Sequence, residues 1–204
     1  MTKIDFDKIF ELLSDKSFQD PRTGNLFFPA YIYTYPPEQE YEVRDKIVQA
    51  VKNLERPSNY LNTLSINIYH ELIAFLKNKT FMMRPLLDHI LEKEKEDPKA
   101  ASNWVKDQMK NFIIHFEEKV EKHFADADKN KAYLILYGFG SIFPYLRASE
   151  LIKQTERLIK DFKVIVFFPG NYEDSYYNLF DMMNDENTYR ANHLNNLLSE
   201  DKTL

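Results

Sequence analysis

Apolar positions along the chain switch between a helical period and a strand period, and the switches mark out its elements. Ile4, Ile9, Leu12 and Leu13 recur at helical spacing within residues 4–18, with acidic residues in the first turn, so a short amphipathic helix is predicted there. QDPRTGN at 19–25 is turn chemistry. The run LFFPAYIYTYPP at 26–37 is rich in β-branched and aromatic residues, but Pro29 cannot donate to a ladder. The regular strand therefore starts at Ala30, and Pro36-Pro37 stop it. Those prolines open a helix with Val43, Ile47, Ala50, Val51 and Leu54 on one face and Glu40 placed to support Arg44 at i,i+4.

After ERPSN, residues 60–69 alternate as a second strand, which makes a βαβ unit with a right-handed crossover. Residues 69–95 read as one or two helices, and Asp97-Pro98 opens another. Its stripe is Val105, Met109, Phe112, Ile113, Phe116, Val120 and Phe124. AYLILY at 132–137 is a buried-type strand, and residues 147–162 carry Leu151, Ile152, Thr155, Leu158, Ile159 and Phe162 on one helical face. KVIVFFPG at 163–170 is a fourth strand and closes a second βαβ unit. The tyrosine-rich segment 171–204 is expected to be partly irregular, with a short helix over 188–198. The pattern predicts a single α/β domain over 1–204, its mostly parallel sheet of at least four strands built from two βαβ units. A helical insert at 69–128 separates them.

Composition narrows what such a domain does. At 204 residues the chain is long enough to bury roughly 70% of its unfolded surface without staples. Cysteine is absent, which rules out disulfides, thiolate nucleophiles and cysteine-held zinc and suits a reducing, cytoplasmic setting. No run approaches the roughly 20 apolar residues of a membrane span, and charges interrupt MTKIDFDKIFELL, so neither membrane insertion nor export is expected. A net charge of −5 argues against a counterion-release grip on DNA, which makes a protein the expected partner. Most of the 16 Phe are expected in the core, whereas the 13 Tyr are of a type that often sits at rims and interfaces.

The stretch LILYGFGSIFPYLR at 134–147 bends through two of the chain's four glycines, and a third, Gly170, ends VIVFFPG. If both strands lie in one parallel sheet, Tyr137 and Phe168 end on the same edge, where open α/β sheets place their ligand crevices. One reading has Gly138, Gly140 and Ser141 offering backbone N–H groups to an anion. Against it, the stretch lacks the third glycine of a dinucleotide fingerprint and the Gly-Lys-Ser/Thr of a P-loop. The other reading has the glycines supplying positive-φ turns while Pro144 docks against FFPGNY, with Pro169-Gly170 as a type II turn. Arg147 is the residue a purely structural bend explains least.

No catalytic constellation assembles. His70-Glu71 is followed by Ala74 where a zinc helix needs its second histidine, and GFGSI has Phe143 where a nucleophile elbow needs glycine. Asp126, Asp128, Glu173, Asp174, Asp181, Asp185 and Glu186 fall in predicted loops, where carboxylates hold Mg²⁺ or, more simply, stay solvated. No cofactor or metal is expected. Tyr172, Tyr176, Tyr177, Tyr189 and Arg190 are of the types that anchor protein interfaces.

YPPEQEYEVRDKI (35–47), LILYGFGSIFPYLR, VIVFFPGNYEDSYYNLF (164–180) and NTYRANHL (187–194), in this order, resemble the BrxB family of the bacterial anti-phage system BREX. The family pattern falls on Pro36, Pro37, Glu38 and Arg44, on Gly138, Gly140, Ser141, Pro144 and Arg147, and on Phe167 to Gly170 with Tyr172. It falls also on Tyr189, Arg190 and Ala191. Glu173-Asp174-Ser175 departs from it, where Asp-Gly is more usual. The resemblance implies a non-catalytic component whose partners are a PglZ-type phosphatase-like protein and other BREX components. Arg44, Arg147, Tyr172, Tyr189 and Arg190 are the expected contacts. A degenerate nucleotide-binding module and a metal-dependent nuclease are the alternatives.

Overall fold

The computed structural model describes residues 6–19, 29–56, 59–128, 131–159, 162–173, 176–185 and 191–200. Helices α1 (Phe6–Ser14) and α2 (Lys16–Gln19) precede strand β1 (Ala30–Tyr35), so the strand starts where proline stops forbidding it. The turn expected at 19–25 lies almost wholly outside the described residues. A single 3-10 turn (Pro37–Gln39) leads into α3 (Glu40–Leu54), which buries Val43, Ile47, Val51 and Leu54. Strand β2 (Asn62–Asn67) then passes directly into α4 (Ile68–Asn78), because the Asn67 side chain accepts the His70 N–H and caps the helix.

Residues 69–95, expected as helix alone, also hold a tight ribbon of β3 (Thr80–Phe81) and β4 (Arg84–Pro85) between α4 and α5 (Leu86–Glu96). Asp97 caps α6 (Pro98–Phe124) through the Ala100 N–H, as the Asp-Pro signal predicts. The α6 stripe from Met109 to Phe124 is buried as expected. Phe112 and Phe116 are fully enclosed, and burial of each stabilises by about 1.5–3 kcal/mol. Strand β5 (Ala132–Tyr137) is followed by α7 (Phe139–Ile142), α8 (Ala148–Gln154) and α9 (Glu156–Ile159). The helix expected over 147–162 breaks at Thr155, whose hydroxyl donates to the Leu151 carbonyl at 2.7 Å and competes with the helical ladder.

Strand β6 (Lys163–Glu173) outlasts its predicted end at 170, because β7 (Tyr176–Leu179) folds back on it, antiparallel, and pairs in turn with β8 (Met183–Asp185). The tail ends in β9 (Asn192–His193) and α10 (Leu194–Glu200). Among its described residues, the tail expected as partly irregular holds strand at 171–173, 176–179, 183–185 and 192–193, and its helix starts at Leu194 rather than 188. A long-range partner supplies the order: β9 joins β1 in parallel, and the Asn195 amide extends that edge, accepting from Thr34 N–H and donating to Thr34 C=O, both at 2.9 Å.

The main sheet runs β2-β5-β6-β1-β9, five parallel strands with helices between them, in one α/β domain. β5 and β6 are neighbours, as the second βαβ unit requires. β1 and β2 are co-directional but not neighbours, since β5 and β6 lie between them. The burial pattern gives the reason: β5 is buried at every position and β6 at its first eight, which suits the centre, whereas β2 is only half buried and takes the edge.

Both faces are covered. Ile32, Ile66, Leu134, Leu136, Val164, Val166 and Phe168 face α4, α5, α6 and α8. Tyr31, Tyr33, Tyr35, Tyr133, Ile135, Tyr137, Ile165 and Phe167 face α1, α3 and α10. Tyrosines often sit at rims, yet Tyr31, Tyr33, Tyr35, Tyr133, Tyr137 and Tyr177 are buried. Two of the hydroxyls on the sheet find internal partners: Tyr133 donates to Leu13 C=O at 3.0 Å, and Tyr31 accepts from the buried Lys163 at 3.1 Å. No helix among the described residues is long and apolar enough to cross a membrane.

Candidate functional site at the carboxyl rim of the sheet

Leu136 pairs with Val166 in parallel, so β5 and β6 reach the same rim, and β1 joins them with Tyr35 opposite Pro169. Gly138 turns the chain off β5 with φ +84°, a conformation that strains any residue with a Cβ. An added Cβ there would lie 2.6 Å from Asn67 Oδ1, so the bend packs on the side chain that caps α4. At Gly140 the corresponding neighbours are the Phe180 ring at 2.7 Å and Pro169 Cγ at 3.2 Å. The three glycines read together in the sequence do meet at one rim, and the protein's own atoms fill the space beside each.

Pro169 and Gly170 form no type II turn. They lie within β6, past the last residue paired with β5, where a missing N–H breaks no rung with that strand. Gly170 has φ +148° and faces Asn178 of β7 so closely that a Cβ would sit 2.0 Å from its carbonyl oxygen. The glycine is there to let β7 fold back.

Arg44 ties the rim together. Its Nε donates to Glu40 Oε1 at 2.7 Å, and Nη2 donates to Ser141 Oγ at 2.8 Å, linking the start of α3 to α7. Glu40 Oε2 accepts from the Tyr35 hydroxyl at the end of β1. Burial, then the Glu40 charge, push the Tyr35 phenol far above its ordinary range, so it stays a neutral donor. Arg147 leads into α8 with its guanidinium 5.9 Å above the Phe143 ring. Beside it Phe139, Phe143, Leu146, Phe168, Leu179 and Met183 line a shallow apolar dimple.

Tyr172 stands on the extension of β6, its ring 4.6 Å from both Tyr177 and His193 and 41% exposed. The Tyr177 hydroxyl and His193 Nδ1 are 3.3 Å apart, and burial pulls the His193 imidazole below its ordinary pKa. The cluster is therefore neutral and aromatic at pH 7, a stacking surface rather than a charged one.

The family model for BREX protein BrxB matches residues 64–194, well over half of the chain. The chain belongs to the BrxB family. Relatives agree over still more of it. A Bacillus cereus (strain H3081.97) protein named BREX protein BrxB is 24% identical over 192 residues, covering 91% of this chain and 93% of its own length. One of the same name from Escherichia coli O9:H4 (strain HS) is 24% identical over 169 residues, covering 79% of this chain and 75% of its own length.

Within this BrxB-family chain, Arg44, Ser141, Gly138, Gly140 and Arg147 gather at the rim, and Tyr172 sits on the adjoining ribbon. Tyr189 and Arg190 lie outside the described residues. So do Asp174, Glu186 and the side chain of Asp185; among the described residues, no three His, Asp or Glu side chains come together as a metal-holding group. The sequence reading passed over Asn67, although an asparagine directly before an apolar helix is a cap signal. It passed over Asn195 as well, whose role depends on pairing across the sheet. Glu71, noted only for a zinc motif it lacks, binds His115 Nε2 at 2.9 Å and Lys119 Nζ at 2.5 Å, joining α4 to α6.

Proposed function

We propose that this protein is a non-catalytic adaptor of a BREX anti-phage system, acting in the cytoplasm and binding the PglZ-type protein through the carboxyl rim of its sheet. The observation that supports it is the filling of the Gly138 to Ser141 bend. Asn67, Phe180 and Pro169 occupy the space that a Cβ would take at Gly138 and Gly140, so the protein's own packing accounts for both glycines. A phosphate cradle uses its glycines the other way, leaving that space open so that the backbone comes close to the ligand.

What the rim does present is Arg44 and Arg147 on rigid elements, with apolar rings around Arg147 and the Tyr172 stack nearby. Arginine and tyrosine on a braced scaffold are the usual anchors of a protein interface.

The test is charge reversal. Arg44→Glu and Arg147→Glu are compared with the native protein in a pull-down of the PglZ-type protein and in phage plating on cells carrying the whole locus. At least a tenfold loss of binding and loss of protection are expected, with melting retained in Arg147→Glu and lowered in Arg44→Glu, which gives up its bonds to Glu40 and Ser141. Native binding and protection in both variants would remove the rim from the interface.

A further inference from the structure

The ribbon between α4 and α5 is built against backbone preference. Thr80 pairs with Pro85 and Phe81 with Arg84, and the Leu86 N–H donates to the Lys79 carbonyl at 2.7 Å. Met82 and Met83 alone form the two-residue loop, with φ of 45° and 66°. Such loops take Asn-Gly or Asp-Gly, because a side chain with a Cβ and no local hydrogen bond is strained at positive φ. The methionines carry that strain without burial in return: Met82 is 75% exposed and Met83 96%. Phe81 and Trp104, the only tryptophan of the chain, extend the apolar tip, with ring centroids 6.5 Å apart.

The stalk beneath is braced. His89 Nε2 donates to the Phe81 carbonyl at 2.9 Å, Arg84 Nη2 to Glu92 at 2.6 Å, and Lys79 Nζ to Gln108 at 2.7 Å. The tip is thus held out in one shape, which lowers the ordering cost of association. Its collar is electrically balanced, with Lys79 and Arg84 set against Asp88 and Glu92. A nucleic acid or an acidic bilayer would need a basic surplus there. A convex, adaptable thioether tip on a neutral collar instead complements a concave apolar pocket on a protein.

We propose that the Met82–Met83 hairpin is a docking knob that inserts into an apolar pocket of a partner protein. It is separate from the rim: α4 runs from its Asn67 cap beside Gly138 to this ribbon, 11 residues or roughly 16 Å. Failure of the rim proposal therefore leaves this one standing, and the reverse.

The decisive variant is Met82→Asn with Met83→Gly, which removes the apolar tip and installs the loop's preferred residues. A purely structural ribbon would be improved by it. We expect the melting temperature to rise by about 2–8 °C, from relief of strain at two residues. In parallel, a photo-crosslinking p-benzoylphenylalanine at position 83, in cells carrying the whole locus, identifies the contacted protein. That protein, purified, is expected to bind the native chain and to bind the double variant at least tenfold more weakly. Equal binding of the two chains, an unchanged or lower melting temperature, no adduct, or an adduct only to a second copy of this chain, lipid or nucleic acid would each overturn the proposal.

Discussion

Replacing Gly138 by alanine tests whether the bend and the cap of α4 are one unit. The new Cβ would stand 2.6 Å from Asn67 Oδ1 and 3.0 Å from its Cγ, so the Asn67 side chain must move. In moving, it gives up the His70 N–H at 3.1 Å. Two penalties follow: about 1–2 kcal/mol for a non-glycine residue at φ +84°, and about 1 kcal/mol for the lost cap. Gly138→Ala should therefore cost about 2–3 kcal/mol, lowering the melting temperature by roughly 4–12 °C for a chain of this size. Asn67→Ala alone should cost about 1 kcal/mol. In the double variant the obstruction is already gone, so only the backbone penalty is added to the cap loss. The pair should total about 2–3 kcal/mol, close to Gly138→Ala alone and about 1 kcal/mol short of additivity. Urea melts of the four proteins measure this cycle. Penalties that add within about 0.3 kcal/mol would show that the bend does not lean on the cap.

Two further outcomes follow from the geometry. Gly170→Ala places a Cβ 2.0 Å from the Asn178 carbonyl, a backbone atom that yields only if β7 leaves β6, so a loss of about 3 kcal/mol or more is expected. Hydrogen exchange should show fast amides across residues 170–179, and native protection there would refute the close approach. For Glu71, burial alone would raise the carboxyl pKa, but the hydrogen bonds and charges of Lys119 and His115 outweigh it and leave it below 4.5. A depressed folded pKa gives stability that is present above the unfolded value and lost as pH falls through the folded one. Between about pH 5 and about pH 3 the native protein should therefore lose more stability than Glu71→Gln, and parallel pH profiles would refute the pairing.

The parts of the fold that were legible in the sequence are those governed by neighbours along the chain. β1 begins at Ala30 because Pro29 forbids it earlier, and β5 spans the AYLILY run. α6 opens at Asp97-Pro98 because cap and first-turn proline are local signals. The convergence of Gly138, Gly140 and Gly170 was legible too, since both strands read as buried and parallel sheets end on one rim. The type II turn at Pro169-Gly170 misled because the same dipeptide serves a strand when another strand covers it.

By itself, then, the sequence missed the β3–β4 ribbon and strands β7 to β9, but it determined the main helices, strands β1, β2, β5 and β6, and where the chain must bend. These follow from periodicity, proline and glycine, which act within a few residues. The tertiary structure alone decided that β5 and β6 separate β1 from β2, that Asn195 completes the edge of β1 from 161 residues away, and that Arg44 meets Ser141 across 97. Such pairings carry no local signature, because hydrogen bonds and packing between distant segments are chosen by competition among all available edges and faces of the folded chain.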